Sequence, residues 1–328
     1  MRSCAWLLVV GLCAGCAHTA YRAEPLSPDA AAAAFDARSL ADPGLRQFLA
    51  DNLGRAFPTS TPADWDFETL AWVAFYFNPA LDVARAQWET ARAAIATAGA
   101  RPNPSLTVTP GYNTSARGGI TPWLPAVGLD LPLETAGKRD RRADAARHAA
   151  DAARQSVFAA AWQVRSELRT ALVDFTGAQA RAAALHTEAD LQRDSAALLE
   201  QRLRAGAIAA PEVAAAQLAA VRAEADAAGA DRAVPVARQR IASALGLPAS
   251  ALDGIALHAP ASVAALTPEQ LAAARRQSLQ SRPDILAALA SYAAAESSLA
   301  LEVAKQTPDL HLGPGYQYDQ GENKWTLG

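Results

Sequence analysis

The sequence predicts a mainly α protein with a small β part: a long α-helical hairpin, a β-hairpin, and an internal duplication whose second copy is incomplete. The first observation is a run of apolar residues, Val157, Ala161, Val164, Leu168, Leu172, Phe175, Ala178, Ala182 and Leu185, spaced by threes and fours as on one helix face. Unbroken from Arg139 to Ala205, this helix has 67 residues and runs roughly 100 Å. The second is the break Arg204-Ala205-Gly206-Ala207-Ile208-Ala209-Ala210-Pro211-Glu212, where Gly206 supplies a C-terminal stop and Pro211 a first-turn proline. After it Val213, Ala216, Ala220, Ala227, Val234, Ile241 and Leu245 bring a second arm back. The third is a repeat at an offset of 204 residues, which places Asn78-Pro79-Ala80-Leu81 on Arg282-Pro283-Asp284-Ile285.

Composition limits the function classes. At 328 residues and 51% hydrophobic content the chain has ample material for a core, but much of it is alanine, which buries little area per residue. Such helices gain burial from many partners, so oligomerisation is expected. A formal charge of −3 gives no basic footprint for nucleic acid. The three cysteines, Cys4, Cys13 and Cys16, all lie in the first sixteen residues, which excludes a disulfide framework. Arg2 and the apolar run Ala5 to Leu12 form a secretory signal over residues 1–15, too short to span a bilayer.

Taken in order, residues 16–65 read as a tether with one short docked helix at Pro43 to Asn52, a disordered linker being the alternative. Residues 66–101 hold two helices that meet at Asn78-Pro79, where the proline ring fixes φ and expels the preceding residue from helical geometry. Residues 102–135 form a β-hairpin: Leu106, Val108, Pro110 and Tyr112 alternate with Thr107, Thr109 and Gly111, and Gly128 to Leu133 alternates again. These strands suit a tilted membrane strand with Tyr112 and Trp123 as interfacial anchors, or a soluble hairpin. The membrane reading needs further strands from another repeat or another chain. Residues 136–248 are the long hairpin, 249–281 a connector, and 282–328 the start of the second repeat. Pro235 is expected to kink or break the returning arm.

The repeat continues without a gap, so that Pro104, Leu106, Pro110, Gly111 and Tyr112 fall on Pro308, Leu310, Pro314, Gly315 and Tyr316. From Pro104 the first unit has 143 residues through Gly246, whereas 21 follow from Pro308 to Gly328. A regular duplication would need roughly 120 more residues for a second hairpin and a second long helix pair. The chain therefore reads as a fragment lacking half its strands, expected neither to close a barrel nor to conduct.

Catalytic signatures are missing. His18, His148, His186, His258 and His311 show no i,i+4 pairing, Gly137-Lys138 lacks the spacing of a phosphate loop, and no Gly-x-Ser-x-Gly or His-Glu-x-x-His occurs. Glu134, Glu167, Glu188 and Glu200 read as solvated or inter-helix charges. No enzyme, cofactor or structural metal is expected. Lys138, Arg139, Asp140, Arg141, Arg142 and Asp144 form a mixed-charge start to the long helix, read as interfacial or solvated, with pore lining as the alternative.

Several stretches resemble the TolC-like outer-membrane efflux factors: Asn78-Pro79-Ala80-Leu81, Pro104 with its strand, Leu131-Pro132-Leu133-Glu134-Thr135-Ala136-Gly137-Lys138-Arg139, Arg204-Ala205-Gly206 with Glu212-Val213, Leu245-Gly246-Leu247-Pro248, and Arg282-Pro283-Asp284-Ile285. Trp65-Asp66 and Gly315-Tyr316-Gln317-Tyr318-Asp319 look most like the heavy-metal-efflux branch. The resemblance implies a homotrimer whose protomers give strands to a shared transmembrane β-barrel and helices to a periplasmic tunnel. It implies a passive conduit that docks by its helical tips on a periplasmic adaptor, a membrane fusion protein, beside an inner-membrane pump. Arg204, Ala205, Gly206, Ala207 and Ile208 are then the adaptor contacts, or else a plain hairpin turn. Leu12-Cys13-Ala14-Gly15-Cys16 resembles a bacterial lipobox with Cys16 as the lipidated residue, although Cys13 stands where leucine or valine is usual. Ala17 after it, in such lipoproteins, fits sorting to the outer membrane; an ordinary signal cut nearby is the alternative. The rival class is a lipid-anchored periplasmic coiled-coil adaptor or scaffold.

Overall fold

The structure, a computed structural model, describes residues 23, 25–54, 64–119, 121–260 and 265–328. Among the described residues two short helices come first, α1 (Pro28–Asp36) and α2 (Pro43–Leu53), each with a proline in its first turn and a capping side chain, Ser27 or Asp42, in front. The composition of α1 had suggested only a tether. Strand β1 (Asp64–Trp65) leads into α3 (Phe67–Phe77), and Asn78 both ends α3 and caps α4 (Pro79–Ala98) by accepting from the Ala80 amide at 3.0 Å. Strands β2 (Ser105–Thr109) and β3 (Ala126–Leu133) follow, then α5 (Lys138–Arg204) and α6 (Ala210–Leu245). The chain closes with β4 (Ala256–Leu257), α7 (Pro268–Ser281), α8 (Pro283–Ala304), β5 (Leu310–Leu312), β6 (Pro314–Asp319) and β7 (Glu322–Leu327).

The long helix has the expected 67 residues, roughly 100 Å of rod. Its buried residues include Leu168, Phe175, Ala182, Ala189 and Ala196, one every seven positions, and they face Val213, Ala220 and Ala227 of α6 at the same spacing, with Ile241 two periods further on. A sevenfold period keeps one seam inward and winds the arms as a coiled coil. Toward the tip the seam is nearly all alanine, with Ala189, Ala223 and Ala227 packed around Leu185. Small side chains bring the two helices close but bury little apolar area. Polar ties lie alongside: Arg193 with Glu224 at 3.0 Å, His186 with Asp231 at 3.0 Å, and Gln217 donating to Glu200 at 2.6 Å.

Of the kink or break expected at Pro235, the break does not occur: α6 runs unbroken from Ala210 to Leu245. The ring costs the helix the bond to the Asp231 carbonyl, about 3 kcal/mol in an isolated helix. Ala230, Ala237 and Ile241 on either side are buried in the seam and hold the segment helical.

The main core sits where the hairpin opens. Leu45 and Leu49 of α2, Trp65, Leu70 and Val73, Leu168 and Leu172 of α5, and Ile241, Leu245, Leu247 and Leu252 meet there. Full burial of each such side chain contributes about 1.5–3 kcal/mol. Two chain segments far apart in sequence join it through a parallel pairing of Trp65 with Leu257. Arg38 staples the junction, its Nη1 donating to Phe77 O at 3.0 Å and to Gly246 O at 2.9 Å. Asn78 Nδ2 donates to Ala244 O at 2.8 Å, so the break between α3 and α4 is tied to the end of α6.

Above this core, α4 and α8 both lie along α5. The sheet follows, in the order β2, β3, β6, β7, with β5 also paired to β3. Leu131 pairs with Leu312 and Gly128 with Gly315, so β5 and β6 are one strand in one register, interrupted at Gly313. The second repeat then turns at Gln320 (φ 51°) and Gly321 (φ 94°) and returns as β7. Two central residues with positive φ make the tight turn that suits the twist of a hairpin. The expectation that half the strands are lacking is therefore corrected: each repeat contributes a hairpin. Only Trp325 and Leu327 alternate in β7, too short a pattern to read as a strand.

Candidate functional site

Three features could carry function: the sheet, the junction beneath it, and the tip of the hairpin. Register divides the sheet into two unlike faces. Leu106 pairs with Leu129, Val108 with Val127, Leu131 with Leu312, Leu133 with Leu310, and Tyr316 with Trp325. These all share one face, because successive residues of a strand point to opposite sides. The other face carries Ser105, Thr107, Thr109, Asp130, His311, Gln317, Lys324 and Thr326. Among the described residues no second layer covers the apolar face: Leu106 is 65% exposed, Leu310 62% and Trp325 79%. A bare apolar sheet of this kind in water would associate or aggregate, whereas lipid solvates it.

Hairpin length agrees with that solvent. Gly111 exchanges backbone bonds with Leu124, and Tyr112 bridges Trp123 in the same register as Leu106 with Leu129, so the first hairpin extends past β2. Counted this way the strands approach the nine to eleven residues a tilted membrane strand needs. The aromatic pair recurs in the duplicate. Tyr112 and Trp123 have ring centroids 5.1 Å apart, and Tyr316 and Trp325 are 4.9 Å apart.

At the junction the structure corrects the sequence reading of the basic cluster. Lys138 is neither solvated nor at headgroups: it is 6% exposed, and its Nζ donates to Thr307 O at 2.5 Å and Asp309 Oδ1 at 2.7 Å. Thr135 adds its backbone N–H to Asp309 Oδ1 at 2.9 Å and its hydroxyl to Pro308 O at 2.8 Å. The hydrogen bond from Lys138, followed by that from the Thr135 amide, holds the Asp309 carboxyl below its ordinary range. Arg142 reaches the other way, to Ala98 O at 2.6 Å, Ala100 O at 3.0 Å and both oxygens of Glu134. Glu134, read as a solvated or inter-helix charge, is its bidentate partner, and that hydrogen bond raises the Arg142 pKa further. Two cations thus tie the ends of α4 and α8 to the start of α5, linking both repeats. Arg141 remains exposed and Arg139 half-buried.

At the tip Gly206 takes φ 70°, and Ala207 N donates to Arg202 O at 2.9 Å, the long bond that closes a helix on a left-handed glycine. Arg204, Ala205, Gly206 and Ala207 are exposed and Ile208 is half-buried. Nothing lies within 4 Å of the position a Gly206 Cβ would take. Cys16 and the signal lie outside the described residues. Among the described residues no group of three or more His, Cys, Asp or Glu is placed to hold a metal ion. The stretch Pro268–Ala304 is apolar enough for a membrane span by length and composition. It breaks between α7 and α8, and α8 packs along α5.

A bare-faced antiparallel sheet is thus mounted on a long coiled hairpin. The family model for outer membrane efflux proteins matches residues 76–247, more than half of the chain, and the chain belongs to that family. It is similar in structure to the outer membrane protein VceC of Vibrio cholerae, with a TM-score of 0.63 and 20% identity over 80% of this chain and 66% of that one. It is also similar to the outer-membrane channel OprN, with a TM-score of 0.62 and 22% identity over 95% of this chain and 72% of that one. The open-state MtrE outer membrane channel of Neisseria gonorrhoeae matches with a TM-score of 0.58 and 19% identity over 80% and 62%. The chain thus spans just under two thirds of the length of VceC. Curated protein sequences give no match.

Proposed function

We propose that the chain is a wall element of a passive outer-membrane efflux conduit, assembled as a homotrimer in which β2 of one copy pairs with β7 of the next. The observation that carries this is the one-layer sheet with an uncovered apolar face on one side and polar residues on the other. Both outer strands, β2 and β7, have an unpaired edge, and closure into a barrel is the arrangement that leaves no edge in lipid. Conduction asks only for a continuous watery lumen, so no residue is assigned a catalytic role. An adaptor or scaffold would have no use for the apolar face, and family membership also favours the conduit.

Docking on a periplasmic adaptor by Arg204, Ala205, Gly206, Ala207 and Ile208 is part of the proposal, supported by the exposure of the turn. An inner-membrane pump would deliver the substrate. Lipidation of Cys16 is compatible with the length of chain that follows it. Residues 16–27 reach at most about 40 Å when extended, and α1 adds roughly 14 Å before Arg38 locks at the core. The α4 helix, which separates that core from the sheet, spans only about 30 Å. The anchor can therefore sit in the membrane while Arg38 stays docked.

Carbonate extraction of membranes tests the wall assignment, since the embedded chain should stay in the pellet and migrate as a heat-resistant trimer. Release into the supernatant as a monomer would sink it. Gly206→Trp tests the tip: efflux should fall with trimers intact, and unchanged resistance to exported compounds would remove the docking role.

A further inference from the structure

Partway along the hairpin, the features that hold its two arms together stop and then resume. On the core side Asp174 of α5 meets Arg240 of α6 at 3.8 Å, and on the tip side His186 meets Asp231 at 3.0 Å. Among the described residues no hydrogen bond or ion pair crosses between the arms in the stretch that these two enclose. Apolar packing is interrupted at the same level. The main core reaches Phe175, with Ala178 and Val234 packed against it, and a separate cluster begins with Leu185, Ala189 and Ala227. Between them only Ala182 and Ala230 are buried, and alanine buries little area.

Both helices also carry residues that weaken them here. Pro235 of α6 lacks the amide that would bond to the Asp231 carbonyl. Gly177 and Gly229 stand in the interiors of α5 and α6, where glycine is a poor helix former. Close packing does not require either one, since nothing lies within 4 Å of the Cβ that alanine would add. In arms built largely of alanine, each is a weak point that one methyl group would remove. Thr176, next to Gly177, turns its hydroxyl onto Leu172 O at 3.1 Å and Val173 O at 3.0 Å, a back-bond that slightly destabilises and bends helices.

We propose that residues 176–182 of α5 and 229–235 of α6 form a joint about which the distal hairpin swings as a unit relative to the core and sheet. Three separate properties reach a minimum at this one level: cross-arm ties, apolar contact and helix propensity. Local opening concentrates where buried contacts are few. In a conduit the joint would let the tip move while the sheet stays fixed; that use rests on the reading above, and the joint itself does not.

The test is hydrogen exchange, followed by mass spectrometry, on the full chain in detergent. Exchange should peak over residues 176–182 and 229–239 and slow again over 185–196 and 213–227. A smooth rise from core to tip, as plain fraying gives, overturns the joint. Gly177→Ala and Gly229→Ala should each slow the peak about fivefold and leave the distal stretches unchanged. No slowing in the double variant overturns it too, as does loss of a trimer that the unaltered chain forms, because the glycines would then serve close approach between copies. A second arm measures the distance distribution between spin labels on Asp51→Cys in α2 and Ser195→Cys in distal α5, with labelled chains diluted in unlabelled ones. The distribution should be broad and should narrow in the double alanine variant; one already narrow in the unaltered hairpin overturns the swing. A chain that carbonate releases yet that shows the peak keeps the joint and loses the conduit.

Discussion

Gly246→Ala probes the joint on which the whole molecule pivots. Gly246 ends α6 at φ 75°, and alanine in that left-handed region costs about 1–2 kcal/mol. An added Cβ would also stand 2.5 Å from Phe77 O and 2.8 Å from Phe77 C, backbone atoms that cannot rotate away. The end of α3 must retreat, yet Arg38 Nη1 grips both Phe77 O and Gly246 O, at 3.0 and 2.9 Å. Losing one of these bonds from a charged donor adds about 1.5–3 kcal/mol. The total is about 3–5 kcal/mol, large for one methyl group. Gly137→Ala is the matched control, with φ 67° and nothing within 4 Å of its Cβ, and should lose only the conformational part. Urea unfolding in detergent, followed by far-ultraviolet circular dichroism, compares the two. Equal losses would show that the Phe77 contact and the Arg38 staple contribute nothing, and would refute the reasoning.

Three other outcomes follow from the same geometry. Val108→Arg, on the apolar face, should cost about 2–4 kcal/mol of insertion free energy near mid-membrane, while Thr107→Arg on the opposite face should insert almost normally; refolding into vesicles measures both. Asp309, its pKa lowered chiefly by Lys138, contributes stability that is complete above the ordinary carboxylate value of about 4 and is lost as pH falls through the lower folded value. Lys138→Met raises that folded value, so the acid transition of the junction should move to higher pH, read by limited proteolysis between residues 134 and 142. Pro235→Ala returns an amide donor to α6 and removes a cost of about 3 kcal/mol or less; amide exchange between residues 232 and 240 should slow, and unchanged exchange would mean that the ring is already fully accommodated.

How much was legible depended on the length of each signal. The 67-residue rod, the turn at Gly206 and the break at Asn78-Pro79 could be read because periodicity over many turns, or a proline and glycine at defined places, leaves few alternatives. The duplication was legible for the same reason, and the paired Tyr112–Trp123 and Tyr316–Trp325 rings confirm it in space. Strand β7 and the two-residue strands β1 and β4 were not, since a few residues carry no measurable period. Nor could the roles of Lys138, Arg142 and Arg38 be foreseen. Each is an ordinary cation in sequence, and each has a partner dozens to hundreds of residues away.

The sequence alone determined that this protein has a long helical hairpin, a β-hairpin whose first strand recurs in a second repeat, and family motifs along most of its length. Local chemistry suffices for these, because helix period, proline, glycine and repeat spacing act within a few residues or along one register. Only the tertiary structure decided that the sheet is two-faced with one face bare, that buried Lys138 binds the two repeats, and that α6 survives Pro235. Those outcomes depend on what packs against what, and packing is set by contacts between residues that the chain order keeps far apart.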